Sequence, residues 1–403
     1  MIVSQDEVEQ AAARLVGVVR PTPVVTSAAL SKLLRRPVLV KPEHFQRTGS
    51  FKIRGAFNRI SALADESKDV EVVAASAGNH AQGVALAASI CGLRSRVFMP
   101  QVASLPKVEA TRSYGAQVEL CGASVDDAIE AARKYAARNA NAYYVPPFDD
   151  RLVVAGQATI GLELAKEAPG AEVVMVPCGG GGLMAGVAAG LRYGGSKARV
   201  VGVEAAGAAP MVASLQRGTP VELGKVETMA DGIALRSVSE LTLEHAQLLV
   251  DEVVTVSEEE ISQAVLLLLE RCKWVVEPAG AVGLGALLAG HGAGGGPVVL
   301  VLSGGNVDPL LLTRLIEHGL TAAGRYLTLR VVLADKPGAL ASLAGALGGL
   351  GLNLLTVEHR RSGAPIGVNE VEVVLTLETR DPAHRDKIVP ALREHGFRAE
   401  AYR

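Results

Sequence analysis

The sequence predicts an α/β protein of open, mostly parallel sheets covered by helices, followed by a smaller ferredoxin-like unit of order β-α-β-β-α-β. Three observations carry this. Short β-rich runs alternate with alanine-rich helical stretches through roughly the first 320 residues. Those runs have few polar interruptions, the pattern of strands buried on both faces of a sheet. After a small-residue linker, Gly319-Leu320-Thr321-Ala322-Ala323-Gly324, the order of elements changes.

Taken in order, residues 70–75 read as a strand and about 79–91 as a helix, then 96–99 as a strand and 107–114 as a helix. Residues 173–177 form a strand and 182–193 a helix, and 200–204 and 298–302 are further strands. Residues 279–302 carry no charge and are long enough to span a bilayer. His291, Pro297 and the glycine-rich run 292–296 interrupt them, so they read as a buried helix and a short strand, with no membrane span. Beyond the linker, 326–333 is a strand, 338–347 a helix and 353–361 a strand. Residues 367–378 are a strand of alternating character, 382–395 a helix and 397–402 a last strand.

The bulk composition narrows the function. With 403 residues the chain holds two or three domains. Hydrophobic residues reach 49% while aromatics are only 3%, which suits closely packed helices on a sheet better than an aromatic-rich β-sandwich. A net charge of −2 leaves no basic footprint for nucleic acid. Cys91, Cys121, Cys178 and Cys272 are far apart and show no metal-ligand spacing, so a reducing cytoplasm is expected. The N-terminus, Met1-Ile2-Val3-Ser4-Gln5-Asp6-Glu7, is acidic and has no apolar signal core.

Four constellations carry chemistry. Gly179-Gly180-Gly181-Gly182 follows a strand and opens a helix. Glycines let the backbone approach an anion, and a helix N-terminus offers free N–H groups, so a phosphate is the natural guest. No Lys-Ser/Thr follows, which excludes a P-loop, and the glycine run lacks dinucleotide spacing, although Glu204 lies near the expected distance of about 20 residues. Ser76-Ala77-Gly78-Asn79-His80 follows the strand 70–75 and suits a carboxylate; taken alone, Asn79 reads first as a helix cap and His80 as a packed or capping histidine. Ser303-Gly304-Gly305-Asn306 puts a hydroxyl at the carboxyl end of a strand, where ligands gather in open α/β sheets. Lys52, between Phe51 and Ile53, would read as a surface lysine on local sequence alone; partly desolvated, it is nucleophilic enough to form a Schiff base. A lysine with loops for a phosphate, a carboxylate and a ring atom describes a pyridoxal phosphate site.

The segment Lys41-Pro42-Glu43-His44-Phe45-Gln46-Arg47-Thr48-Gly49-Ser50-Phe51-Lys52-Ile53-Arg54-Gly55-Ala56 resembles the lysine segment of threonine ammonia-lyases (threonine dehydratases) and serine racemases. These are fold type II, tryptophan-synthase-β-type pyridoxal phosphate enzymes. Ser76 to His80 resembles their carboxylate loop, Gly179 to Leu183 their phosphate loop and Ser303-Gly304-Gly305-Asn306 their pyridine-nitrogen motif. Met99-Pro100, Lys107-Val108, Tyr114-Gly115-Ala116, Gly156-Gln157, Ala230-Asp231-Gly232 and Glu277-Pro278-Ala279-Gly280 are family-like and in order. The last domain resembles an ACT domain, an amino-acid-sensing module, at Asp335-Lys336-Pro337-Gly338-Ala339-Leu340 and at Asn353. The expected domains are 1–320, catalytic, with a smaller subdomain at about 47–148, and 326–403, regulatory.

The resemblance implies a role for each matched residue. Lys52 holds pyridoxal 5'-phosphate and then takes the α-proton, and Phe51 packs beside the ring. Asn79 bonds the ring hydroxyl. Gly179, Gly180, Gly181, Gly182 and Leu183 hold the phosphate, and Ser303 faces the ring nitrogen without a charge. Ser76, Ala77, Gly78, Asn79 and His80 hold the substrate carboxylate; Ser76 is also the residue that racemases use on the opposite face. A monovalent cation at Glu204 and backbone carbonyls is left open, whereas Pro210 stands where a second carboxylate would be, and no divalent metal is expected. The implied activity is L-threonine ammonia-lyase, acting also on L-serine and giving 2-oxobutanoate and ammonia. The alternatives are a serine racemase or hydroxyaspartate ammonia-lyase on the same scaffold and, in a different class, a non-catalytic amino-acid sensor. The ACT resemblance implies an effector, isoleucine or valine, near Asp335, Gly338, Ala339, Leu340 and Asn353, and a homodimer or homotetramer.

Overall fold

A computed structural model describes residues 1–361 and 366–402. Its contacts divide the chain into two compact units, Met1–Leu311 and Leu312–Arg403.

The first unit holds two sheets. The larger begins with β1 (Val25–Thr26) and β2 (Val38–Lys41). The chain then leaves it to build a four-stranded sheet from β3 (Glu71–Ala75), β4 (Arg94–Met99), β5 (Gln117–Leu120) and β6 (Ala142–Tyr144), all parallel, in the order β5-β4-β3-β6. It returns with β7 (Val173–Pro177), β8 (Arg199–Ala205), β9 (Glu252–Val256) and β10 (Val298–Val301). The larger sheet has the order β1-β2-β10-β7-β8-β9 and is parallel except for the antiparallel edge strand β1. The apolar runs have a direct cause: β7 and β10 sit at the centre and every residue of both is buried.

Several helices start where the chain supplies its own cap. Ser4 with Glu7, Ser124 with Asp127 and Ser257 with Glu260 form reciprocal capping boxes. The helix expected from 107 begins earlier, at Leu105, because Ser104 takes the cap position and Pro106 pre-sets the first turn. Strand β4 likewise begins at the charged Arg94, which hydropathy passes over but which is in register with Glu71 of β3. The apolar stretch 279–302 divides into the helix Pro278–Leu288 and β10. Among the described residues no helix is long and apolar enough to cross a membrane.

The second unit has the order β-α-β-β-α-β. Strands β11 (Tyr326–Ala334), β12 (Asn353–Arg360), β13 (Glu370–Glu378) and β14 (Arg398–Ala401) form an antiparallel sheet in the order β12-β13-β11-β14. Alternate residues of β11 are buried, so one face is packed. Leu343 and Leu347 from the helix Ala339–Gly349, and Ile388 and Leu392 from Pro382–Glu394, fill that face with Leu329, Val331, Val373 and Leu375. The strand expected from 367 starts at Glu370, because the Gly367 N–H donates to the Glu370 carboxylate at 2.9 Å and closes a turn instead.

Candidate active site

Three strand ends converge. β3 runs into Ser76-Ala77-Gly78 and the helix Asn79–Cys91, β7 into the glycine turn and the helix Gly182–Tyr193, and β10 into Ser303. A fourth segment lies along the last of these. Ser50 pairs with Gly304 in an antiparallel bridge, the Phe51 N–H donates to the Ser303 carbonyl at 3.1 Å, and the Gly305 N–H donates to the Gly49 carbonyl at 2.9 Å. This seats Lys52 as the first residue of the helix Lys52–Glu66.

The loops enclose a cavity of about 190 Å³. Phe51, Lys52, Ser76, Ala77, Gly78, Asn79, His80, Gly179, Gly180, Gly181, Gly182, Leu183 and Ser303, all singled out from the sequence, line it together. The residues expected at the effector site divide. Asp335, Gly338, Ala339 and Leu340 line a cavity of about 290 Å³ in the second unit, along with His359 and Arg361. Asn353 is not among its lining residues: it starts β12, at the end away from His359, and its amide donates to Glu378 at 3.2 Å.

Lys52 is not the surface lysine that its local sequence suggests. Burial lowers its pKa to about 8, partly opposed by the charge of Glu277. Its Nζ lies 5.0 Å from the centre of the Phe51 ring. Asn79 does not cap its helix. Gly78 is the cap residue, and the Asn79 amide instead donates to Glu277 Oε1 at 2.7 Å while its carbonyl accepts from Asn306 Nδ2 at 2.8 Å. Ser76 Oγ accepts the Gly78 N–H at 3.1 Å and so shapes its own loop. The His80 ring bonds the Val145 carbonyl at 2.9 Å through Nε2, and burial together with the nearby Lys52 charge lowers its pKa to about 3, leaving it a neutral donor.

The glycine turn is a cradle without side chains. Gly181 has φ +88°, in the left-handed region, and stands directly before the helix. A Cβ on Gly180 would collide with the Phe148 ring, and one on Gly179 would lie 2.9 Å from Ile233 Cα. A half-buried amine, a helix N-terminus stripped of side chains and the neutral Ser303 hydroxyl in one cavity fit pyridoxal phosphate. Glu204 lies elsewhere: its two oxygens accept the N–H groups of Met211 and Val212 at 2.8 and 2.9 Å, and burial raises its pKa to about 7 against those bonds.

Among the further lining residues that no motif assigns a role, four bear on the site's charge and shape. Glu277, Asp231 and Lys107 appear in family-like runs, and Phe148 belongs to no motif at all. Lys107 and Asp231 form an ion pair at the cavity. Glu277 is only 3% exposed, and burial and the charge of Asp231 raise its pKa to about 7, against the Asn79 hydrogen bond and the charges of Lys107 and Lys52. The signal that would find such residues is their distance in space, which one sequence does not record.

Residues 15–304 match the family profile described as "Pyridoxal-phosphate dependent enzyme", and residues 327–397 match that of the ACT domain. The chain is 42% identical over 396 residues to an L-threonine ammonia-lyase of Thermotoga maritima, covering 98% of each chain. It is 44% identical over 391 residues to an L-threonine ammonia-lyase of Geobacter sulfurreducens, covering 97% of each. Among solved structures it is similar to the processed form of threonine deaminase isoform 2 from Solanum lycopersicum, with a TM-score of 0.72 and 34% identity, covering 79% of this chain and 94% of that one.

Proposed function

This chain belongs to the pyridoxal-phosphate dependent enzymes and ends in an ACT domain, and from that premise we propose that it is an L-threonine ammonia-lyase regulated through that domain. The reaction removes the α-proton and the β-hydroxyl of L-threonine as water, and water then returns to release ammonia and leave 2-oxobutanoate. L-Serine is the second substrate.

The single observation that carries this reading is Lys52, half-buried on the same cavity as the glycine turn, the Ser76 loop and Ser303. With a pKa of about 8, roughly a tenth of Lys52 is uncharged at pH 7, against about one part in 3,000 for an ordinary lysine. Pyridoxal 5'-phosphate, when bound, supplies an aldehyde for the substrate amine and a ring that draws electrons from the α-carbon. Lys52 is the amine that would hold it and, once displaced by substrate, the base that holds the α-proton. The N–H groups of Gly179 to Leu183 would hold its phosphate, and Asn79 and Ser303 would meet the ring hydroxyl and nitrogen. The N–H groups of Ala77, Asn79 and His80, at the start of the helix Asn79–Cys91, would hold the substrate carboxylate. Phe51 and Phe148 wall the cavity and exclude water.

Release of 2-oxobutanoate from L-threonine by the cofactor-loaded protein tests the activity. Lys52→Ala should lower turnover by about a thousandfold; full turnover in that variant overturns the assignment. Chiral chromatography after incubation with L-serine separates a lyase from a racemase, which would accumulate D-serine.

In the second unit, Asp335 and Arg361 form an ion pair at 3.2 Å on the cavity that Leu340 also lines. One carboxylate and one guanidinium beside an apolar side chain match the two charges and the branched chain of isoleucine or valine. Free thiols at all four cysteines support a cytoplasmic location. The exposed apolar side chains Phe45 and Val275, which flank Trp274, support a homodimer or homotetramer.

A further inference from the structure

We infer that Glu277 is a positioning residue: with Asn306, it fixes the Asn79 carboxamide so that an amide N–H, and not the carbonyl, is offered to the cavity. The inference rests on the reading of Asn79 as a cofactor-binding residue.

The orientation follows from one end of a relay. The Thr48 carbonyl can only accept, and Asn306 Nδ2 donates to it at 2.6 Å. The same Nδ2 donates to Asn79 Oδ1 at 2.8 Å, so both its hydrogens are used and the Asn79 oxygen is held away from the cavity. Asn79 Nδ2 then donates one hydrogen to Glu277 Oε1 at 2.7 Å and keeps its second for a ligand. A carboxylate at 277 is the acceptor that matches this direction.

Two further features show that the relay is built into the fold. Glu277 occupies the cap position of the helix Pro278–Leu288, where an acidic side chain ordinarily accepts from the helix N–H groups, yet it makes no cap bond. It turns to Asn79 instead. The space it enters is cleared by glycine: a Cβ on Gly304 would overlap Glu277 Oε1 and lie 3.0 Å from Asn79 Nδ2. A Cβ on Gly49 would lie 2.5 Å from Asn306 Oδ1. The Glu277 N–H also donates to the Gly304 carbonyl at 3.1 Å. The charged groups around Glu277 are Asp231, Lys107 and Lys52, and the first of these repels it. Its carboxylate in turn holds up the pKa of Lys52.

The test compares Glu277→Ala and Glu277→Gln. In the alanine variant, which removes the acceptor, the dissociation constant of pyridoxal phosphate, read by fluorescence titration of cofactor-free protein, should rise about tenfold or more. Glutamine keeps a carbonyl acceptor but no charge. It should bind the cofactor within about threefold of wild type, while reductive-methylation titration of Lys52 in the cofactor-free protein gives a lower pKa than wild type. A purely structural role would lower the melting temperature and leave both readouts in place. Wild-type cofactor affinity in Glu277→Ala overturns the inference. Should that variant not fold, Asn306→Ala frees the carboxamide from its other side, and unchanged affinity there overturns it equally. If Asn79→Ala itself binds the cofactor as wild type does, the reading of Asn79 fails rather than the relay.

Discussion

Arg54, two residues beyond Lys52, should be among the most sensitive positions in the first unit. It is fully buried, as is Glu43, and its guanidinium grips Glu43 through Nε at 2.9 Å and Nη2 at 2.8 Å. On its other side it grips Glu163 at 2.6 and 2.9 Å and donates to Thr159 Oγ1 at 3.0 Å. Lys41, also fully buried, pairs with Glu163 at 2.7 Å and Glu167 at 3.1 Å. Among the described residues, Arg54→Met leaves Lys41 to balance Glu163 and Glu167, and leaves the Glu43 carboxylate with the Thr22 hydroxyl. Breaking a buried pair from one side costs about 3–5 kcal/mol. At about 2 °C per kcal/mol for a large domain, the melting temperature should fall by about 6–10 °C. The double variant Arg54→Met/Glu43→Gln removes both charges and should recover part of that loss. A pH arm follows from Glu163. Burial would raise its pKa, but the charges and hydrogen bonds of Arg54 and Lys41 outweigh it and hold it below the ordinary value. A lowered carboxyl stabilises the fold above its unfolded pKa and loses that stability as pH falls through its folded value. In Arg54→Met the folded pKa of this carboxyl rises, that contribution shrinks, and the variant's deficit against wild type should narrow as the pH falls. Thermal unfolding of cofactor-free protein, followed by circular dichroism at pH 7 and pH 5, reads all of this. A single variant within about 2 °C of wild type, or a double variant no more stable than the single, refutes the reasoning.

His44 is buried and, among the described residues, neither ring nitrogen has a hydrogen-bond partner; burial lowers its pKa to about 4 against the charge of Glu43. A lowered histidine contributes stability above about pH 6.5 that is lost as pH falls towards 4, about 2 kcal/mol by pH 5. His44→Phe should therefore gain about 2 kcal/mol on wild type between pH 8 and pH 5 in urea titrations; an equal difference at both pH values would sink the idea. Gly180→Ala must displace Phe148, so cofactor affinity should fall about tenfold. The melting temperature of the cofactor-free protein should stay within about 2 °C; unchanged affinity counts against the cradle. Calorimetric titration should show L-isoleucine or L-valine binding to the full chain and Leu340→Asp losing it; equal binding by that variant removes the effector cavity from consideration.

Much of the fold is legible locally. The helices Asn79–Cys91 and Gly182–Tyr193 and the strand Val173–Pro177 begin and end where the residues predict, because glycine turns and buried apolar runs are signals within a few residues. Boundaries shift where a partner strand decides them: Arg94 joins β4 because β3 offers it a backbone partner beside Glu71, and no hydropathy pattern reports that.

The strand-end loops and the residue types they carry are readable along the chain, since a glycine run before a helix or a serine after a strand is a local property. What those residues do to one another depends on contacts made through space. Asn79 reads locally as a cap, but Glu277 and Asn306, about 200 residues away, take its amide. Lys52 reads locally as exposed, but the loop after β10 pairs with the residues just before it and seats it at the cavity, where burial lowers its pKa. Hydrogen bonds and desolvation depend on distance through space, and for these residues the chain closes that distance only when both sheets of the first unit are in place.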